Sequence, residues 1–222
     1  MEEEVNLIDL WRVIWKYRVI ITVVVLVGVI ATGVISFLLP RQYKATASLL
    51  PQIEMSKVAI AVPSEFAGLV KSQNPVTDVI VALLRSETMR ADIIKKFGLK
   101  EFYRAEYYET ALKQLERATE IKVSRENVIS VSVISTQPQL AADIANFYVS
   151  NLDNLNERLK ITAAKPMVTQ LDMARVPEKK YKPNVKLNIV LSGMFSFFLA
   201  VFLAFFLEYC QKVKTQKVRE SR

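Results

Sequence analysis

Two long apolar runs lie at opposite ends of the chain, and the residues between them have the mixed polarity of a folded domain. Residues 19–39 and 187–207 contain no Asp, Glu, Lys or Arg. At about 1.5 Å per residue, a helix over either run is roughly 30 Å long, the thickness of a bilayer hydrocarbon core. The pattern predicts two transmembrane helices in a hairpin topology that anchor one central domain.

These runs divide the chain into five parts. We predict a cytoplasmic amphipathic lead-in at residues 1–18, transmembrane helix 1 at 19–39, an extracytoplasmic domain at 40–186, transmembrane helix 2 at 187–207 and a basic cytoplasmic tail at 208–222. In the lead-in, Leu7, Leu10, Trp11, Ile14 and Trp15 recur at helical spacing. Tryptophans on such a face suit the membrane interface.

The central domain alternates between strand patterns and helix patterns. Period-two alternation predicts strands at 43–50, 121–123, 128–135 and 167–176, and helical periodicity predicts helices at 75–97, 107–118 and about 138–162. Residues 51–74 are expected to form a loop or short helices. In the third strand we expect Val131 to face the core and Ser130 and Ser132 to face out. The sequence therefore predicts an α+β domain, in which strand 43–50 pairs with strand 167–176.

The net charge is +8, but the basic residues are scattered, so we predict no nucleic-acid partner.

The positive charges next to the apolar runs decide the predicted orientation in the membrane. Arg12, Lys16 and Arg18 precede the first apolar run and several lysines follow the second. Positive charges in short tails direct insertion, whereas those in loops beyond about 60 residues do not. Both termini are therefore predicted to be cytoplasmic, with the central domain periplasmic or extracellular.

The residue inventory argues against catalysis. The chain has no histidine, the commonest general base and metal ligand. Its five glycines form no phosphate-binding GxxxxGK[ST] loop, and its one cysteine, Cys210, has no partner for an intrachain disulfide. We predict no enzyme activity, no cofactor and no bound metal.

Small residues recur every four positions in both apolar runs. The seven candidate helix-packing residues are Gly28, Thr32, Ser36, Ser192, Ser196, Ala200 and Ala204. Small side chains at this spacing let two helix backbones approach closely in lipid. The stripes predict tight pairing of the spans, either within one subunit or between neighbouring subunits.

Two groups are candidates for contact with a glycan or a lipid headgroup. Lys179, Lys180, Lys182 and Lys186 precede the second apolar run and would meet anionic headgroups or an anionic lipid-linked glycan. Arg104 lies among Tyr103, Tyr107 and Tyr108, whose rings would stack on sugars if they are exposed.

The order of these segments resembles the Wzz-type polysaccharide co-polymerases, the chain-length determinants of bacterial surface polysaccharides. The resemblance rests on IDLWRVIWKYR, LLPRQYKATASLLP, VTDVIVALLRSETMRADIIKKFGL, ISVSVISTQPQLAADIANFYVSNL and ARVPEKKYKP. It implies a bacterial inner-membrane protein whose periplasmic domains form a ring-like homo-oligomer. The implied partners are a polysaccharide polymerase or exporter, a lipid-linked glycan and the membrane.

Two functions follow from this resemblance. The first is a non-enzymatic regulator of the chain length or export of a surface polysaccharide such as lipopolysaccharide O-antigen, capsule or exopolysaccharide. The alternative is a membrane adaptor that activates a separately encoded cytoplasmic tyrosine kinase. The chain departs from larger relatives in that Pro166 ends the long helix early and that only a short tail follows the second run, so we expect a short member without a fused kinase.

Overall fold

The protein, represented by a computed structural model, is described here for residues 7–52, 75–160 and 166–220. The chain divides into two compact units. One comprises Met1–Pro40 and Pro183–Arg222, and the other comprises Arg41–Lys182. The loop predicted at residues 51–74 lies outside the described residues from position 53 onward.

The described residues of the first unit, here the helical unit, form three helices. They are α1 (Leu7–Lys16), α2 (Arg18–Leu38) and α9 (Val185–Glu220). Within the described residues, Arg18–Leu38 and Val185–Lys214 are long and apolar enough to cross a membrane, and only 11% of each apolar window is buried inside the protein. The helix predicted at 187–207 is longer in the structure because α9 continues through the basic tail.

The second unit, here the α+β unit, contains the remaining elements. They are β1 (Tyr43–Pro51), α3 (Pro75–Arg85), α4 (Glu87–Phe97), α5 (Leu99–Phe102), α6 (Tyr108–Ala118), β2 (Thr119–Val123), β3 (Ile129–Ser135), α7 (Pro138–Ser150), α8 (Leu152–Leu159) and β4 (Val168–Asp172). The strands form one antiparallel sheet in the order β2-β3-β1-β4. The predicted α+β fold with a candidate membrane helix near each end is confirmed.

Alternation along β1 and β3 places one face of the sheet in the core. Ala45, Ala47 and Leu49 are at most 2% exposed and belong to the same buried cluster as residues of α7. Val131 is buried as predicted, but Ser132 is only 6% exposed, although it was expected to face solvent. The reason is that β3 is an interior strand, so β1 and β2 flank Ser132, whose hydroxyl lies 2.9 Å from that of Thr46.

The predicted pairing of the first and last strands is confirmed, although β4 is shorter than the predicted strand 167–176. Leu49 pairs with Gln170, and the register shifts between Ser48 and Leu49. Beyond β4, the side chain of Asn146 holds the backbone of Ala174 by two hydrogen bonds. Asn146 Nδ2 donates to Ala174 O (3.0 Å), and Ala174 N donates to Asn146 Oδ1 (2.8 Å). A side chain in α7 therefore replaces the strand partner where β4 ends.

Two helices predicted as continuous are interrupted in the structure. The helix predicted at 75–97 breaks at Ser86, whose Oγ accepts a hydrogen bond from Met89 N (3.1 Å) and donates one to Leu83 O (2.7 Å). Ser86 thus caps α4, as serine commonly does. The helix predicted at about 138–162 is likewise divided at Asn151 and ends at Lys160, which has a φ of 52°. The apolar periodicity continues through each break and therefore conceals it.

Gly98 ends α4 in the left-handed region, with a φ of 59°. An added Cβ would lie 3.6 Å from the nearest atom, Glu101 Oε2, so only the backbone conformation opposes a side chain. We expect Gly98→Ala to lower the free energy of unfolding by about 1–2 kcal/mol. Denaturation of the full chain in detergent, followed by circular dichroism, measures this change. Gly98→Asn is the control, because asparagine tolerates this conformation better; equal losses for both variants would contradict the explanation.

An acidic residue on β2 joins two strands. Glu120 accepts hydrogen bonds from Lys122 (2.5 Å) and from Lys44 of β1 (2.8 Å). The hydrogen bond from Lys122, followed by that from Lys44, lowers the pKa of Glu120 from 4.5 to about 2. A lowered pKa stabilises the folded state above the unfolded-state value, and this stabilisation is lost as the pH falls.

We therefore expect wild-type protein to melt at a higher temperature than Glu120→Gln near pH 6, and the difference to shrink as the pH falls from about 4.5 to about 2. Melting curves of the full chain in detergent across this range measure the difference. Glu106→Gln is the control, since Glu106 is exposed and has no ion pair in the part of the chain that the structure describes. A constant gap for Glu120→Gln would rule out the ion pairs as its cause.

Candidate functional site

The seven small residues singled out in the apolar runs lie along the contact between α2 and α9. We call this line the helix seam, and it consists of Gly28, Thr32, Ser36, Ser192, Ser196, Ala200 and Ala204. Both helices belong to one chain, so the structure places the two stripes against each other within one subunit. Ala200 and Ala204 are fully buried in a cluster with Tyr17 and Ile21.

Hydrogen bonds run along the helix seam. Thr32 Oγ1 donates to Ser192 Oγ (2.7 Å), which donates to the backbone oxygen of Gly28 (3.0 Å). The Ser192 hydroxyl is thus satisfied both as acceptor and as donor. In lipid, a polar group without a partner costs several kcal/mol. The pairing of these hydroxyls therefore favours one register of α2 against α9.

The two helices approach each other closely at Gly28. A Cβ built at this position would lie 2.0 Å from Ser196 Oγ and 3.0 Å from Ser196 Cβ. Rotation of the serine hydroxyl relieves the first contact but not the second. A Cβ at Gly33, in the same helix, would have nothing within 4 Å. The seam thus needs glycine at position 28 and not at position 33.

Sequence reasoning missed the polar contacts at the two ends of the seam. Asn188 Nδ2 donates to Ser36 Oγ (3.1 Å), and Lys16 Nζ forms an ion pair with Glu208 (2.5 Å). Asn188 lies four residues before Ser192, so extending the four-residue spacing backward would have identified it. Lys16 and Glu208 flank the two apolar runs and have opposite charges, which was a second available signal.

The four candidate lysines fall in both units. Lys179, Lys180 and Lys182 are exposed residues of the α+β unit, whereas Lys186 is an exposed residue of α9 in the helical unit. The backbone of Lys182 pairs with that of Gln42, whose N donates to Lys182 O (3.0 Å) in an isolated bridge. Its ammonium lies 5.5 Å from the ring of Tyr181.

The tyrosines near Arg104 differ in exposure. Tyr107 is 65% exposed and Tyr108 is 43% exposed, whereas Tyr103 is partly buried against the core. Burial raises the pKa of Tyr103 to about 12, with a smaller contribution from Tyr148, so its phenol stays protonated at neutral pH. Arg104 is exposed, has a φ of 52°, and takes no part in the cation–π contacts found among the described residues.

Comparisons with known proteins connect this arrangement with one family. Residues 3–97 match the family model Wzz, described as "Chain length determinant protein". No curated protein sequence matches the chain significantly. Among solved structures, a "full-length bacterial polysaccharide co-polymerase" matches with a TM-score of 0.54 and 10% sequence identity. That match covers 93% of this chain and 99% of the other.

The two comparisons support different statements. At 10% identity the structural likeness shows a shared fold, while the family match carries the relationship in sequence. The resemblance predicted from the sequence is therefore confirmed: residues 3–97 match the Wzz chain-length-determinant model, and the chain shares the fold of a solved structure described as a bacterial polysaccharide co-polymerase.

Proposed function

We propose that this protein is a non-enzymatic, oligomeric inner-membrane regulator of the chain length or export of a bacterial surface polysaccharide. The observation that carries the proposal is the Wzz domain at residues 3–97 in a chain with the co-polymerase fold. The proposed partners are further copies of the chain, a polysaccharide polymerase or exporter and a lipid-linked glycan. The polysaccharide would be lipopolysaccharide O-antigen, capsule or exopolysaccharide.

The proposed location is the inner membrane, with both termini cytoplasmic and the α+β unit periplasmic. The apolar surfaces of α2 and α9 support the membrane location, since only 11% of each apolar window is buried, whereas the core helix of a soluble protein would be mostly buried. Basic residues in both short tails support the orientation. We also propose Lys179, Lys180, Lys182, Lys186 and Arg104 as contacts to the glycan or to lipid headgroups.

We propose that the helix seam holds the two spans of one subunit together, rather than joining neighbouring subunits. Lipid provides no hydrophobic driving force between helices, so close packing and hydrogen bonds must supply the association. The seam has both, in the contact of Gly28 with Ser196 and the chain of hydrogen bonds through Ser192. The outer faces of α2 and α9 then remain for lipid or for neighbouring copies.

The seam is tested by adding one methyl group. We expect Gly28→Ala to force α2 and α9 apart, because its Cβ would clash with Ser196, and to destabilise the pair by about 1–3 kcal/mol. Gly33→Ala is the matched control, as it makes the same change on the same helix in open space. The melting temperature of each variant in mild detergent measures the effect, and equal values would contradict the proposed packing.

A cross-link reports whether the seam lies within one subunit. In a Cys210→Ser background, we expect a short thiol-reactive cross-linker to join the cysteines of a Ser36→Cys, Asn188→Cys variant, because the wild-type Ser36 Oγ and Asn188 Nδ2 atoms are 3.1 Å apart. Gel mobility should be that of a single chain, and Gly28→Ala should slow the reaction while Gly33→Ala does not. A predominantly dimeric product would show instead that the stripes join neighbouring subunits.

Deletion of the protein tests the proposed function. We expect the surface polysaccharide to persist but to lose its preferred lengths, giving a short, unregulated ladder on a gel. Wild-type protein and the Gly33→Ala variant should both restore the length distribution. Loss of polymer together with loss of tyrosine phosphorylation on a cytoplasmic kinase would instead support the adaptor function. An unchanged length distribution would contradict the length-regulator proposal.

A further inference from the structure

A cleft in the α+β unit combines side chains from five parts of the chain. Its volume is about 520 Å³, which lies within the range of small-molecule sites. The lining residues come from the start of β1, the end of α5, α6, the end of β3 and the segment after β4. They are Gln42, Phe102, Tyr103, Gln114, Arg117, Ala118, Ile134, Ser135, Thr136 and Lys182.

Backbone pairing fixes two sides of this cleft. Gln42 N donates to Lys182 O (3.0 Å), and Gln42 O accepts from Tyr181 N (2.7 Å). The next residue, Tyr43, pairs with Ser135 at the end of β3. The side chains of Gln42, Lys182 and Ser135 therefore project from paired backbone, so that little backbone freedom is lost when a ligand binds.

The charge of the cleft is positive. Arg117 and Lys182 both line it, and none of its lining residues is acidic. Neither cation forms an ion pair within the described parts of the chain, although Lys182 lies 5.5 Å from the ring of Tyr181. A guanidinium presents a fork of donors that matches a carboxylate, and an ammonium adds a second charge. The cleft therefore offers two cationic groups to an anionic ligand.

The other lining groups suit a hydroxylated ring. Gln42, Gln114 and Thr136 offer amide and hydroxyl groups that both donate and accept hydrogen bonds, as sugar hydroxyls require. Phe102 and Tyr103 add an aromatic wall, with ring centroids 5.4 Å apart in an edge-to-face arrangement. Aromatic side chains combine apolar surface with, in tyrosine, a polar group. Such a wall packs against the C–H face of a sugar.

We propose that this cleft binds an acidic saccharide, with Arg117 and Lys182 on the carboxylate of a sugar residue and Tyr103 against its ring. The choice of a sugar rests on the proposed function, whereas the choice of an anion rests on the charges of the cleft alone. The ligand would be an acidic unit of the glycan whose length the protein regulates.

The test uses the full chain in nanodiscs of phosphatidylcholine, which has no net charge. Saturation-transfer NMR compares a trisaccharide of β-1,4-linked glucuronate with cellotriose, which has the same backbone without carboxylates. We expect the acidic trisaccharide to bind and cellotriose to bind at least about tenfold more weakly, because charge-assisted hydrogen bonds are lost. Equal binding of both probes, or binding of neither, would overturn the proposal.

Two variants with the same net charge locate the site. We expect Arg117→Gln with Lys182→Gln to weaken binding of the acidic trisaccharide about tenfold or more. Arg175→Gln with Lys95→Gln removes two exposed cations outside the cleft and should leave binding unchanged. All four residues are exposed, and circular dichroism verifies that both variants are folded. Equal losses would show unspecific attraction by the positive surface and would overturn the proposal.

Inorganic phosphate separates a sugar site from a simple anion site. We expect phosphate to displace the trisaccharide only at concentrations well above those at which the trisaccharide itself binds. Displacement at equal concentration would reduce the site to an anion site and overturn the assignment to a saccharide. If the protein binds the trisaccharide but its deletion leaves polymer length unchanged, the saccharide site stands and the proposed function is refuted. If deletion abolishes length control but the protein binds no trisaccharide, the proposed function stands and the saccharide site is refuted.

Discussion

The pairing of β1 on both of its edges is the constraint on which the α+β unit depends. β1 is the first strand of the chain, but its partners follow much later, with Tyr43 opposite Ser135 and Pro51 opposite Val168. Closing loops of this length costs chain entropy that rises with the logarithm of loop length. Burial of Ala47 and Leu49, both fully covered, helps to offset that cost. The sheet therefore needs both ends of the domain sequence to form.

The helical unit also requires the beginning and the end of its sequence to meet, but its stability has a different source. Its first and last long helices must meet, but in lipid the apolar side chains gain nothing from leaving water. Close approach at Gly28 and the paired hydroxyls of Thr32 and Ser192 replace the hydrophobic effect there. In both units the beginning and the end of the sequence are joined, by backbone hydrogen bonds in the sheet and by small side chains in the seam.

The sequence allowed prediction of those features that depend on periodicity. Strand β1 and the hairpin of β2 and β3 follow from alternation, and α2 and α9 follow from uncharged length. The β1–β4 pairing was inferred from the position of both strands next to the apolar runs. The helix breaks at Ser86 and Asn151 were not predicted, because the apolar stripe continues through both. Each break depends instead on the local conformation of one polar residue. Periodicity therefore predicted the elements better than their ends.

Sites assembled from distant segments were predicted less well. The seam residues share one four-residue spacing, so they were found before their contacts were known. The contact of Lys44 with Glu120 depends on strand register, which the spacing of charges does not reveal. The cleft draws on five segments, and of its two cations only Lys182 had been singled out, as part of a basic cluster. Its partner Arg117 lies on a helix where a charged residue usually indicates only a solvated face.

The two edges of the sheet differ in how they resist joining another sheet. An exposed edge strand presents unpaired backbone groups to other chains, and charged side chains or irregular pairing oppose this. The β2 edge carries Glu120 and Lys122, whereas the β4 edge is five residues long and has a register shift opposite Ser48. Leu171 and Met173 are nevertheless 53% and 71% exposed near that edge. Neither edge therefore favours a continuous sheet between copies in the proposed oligomer.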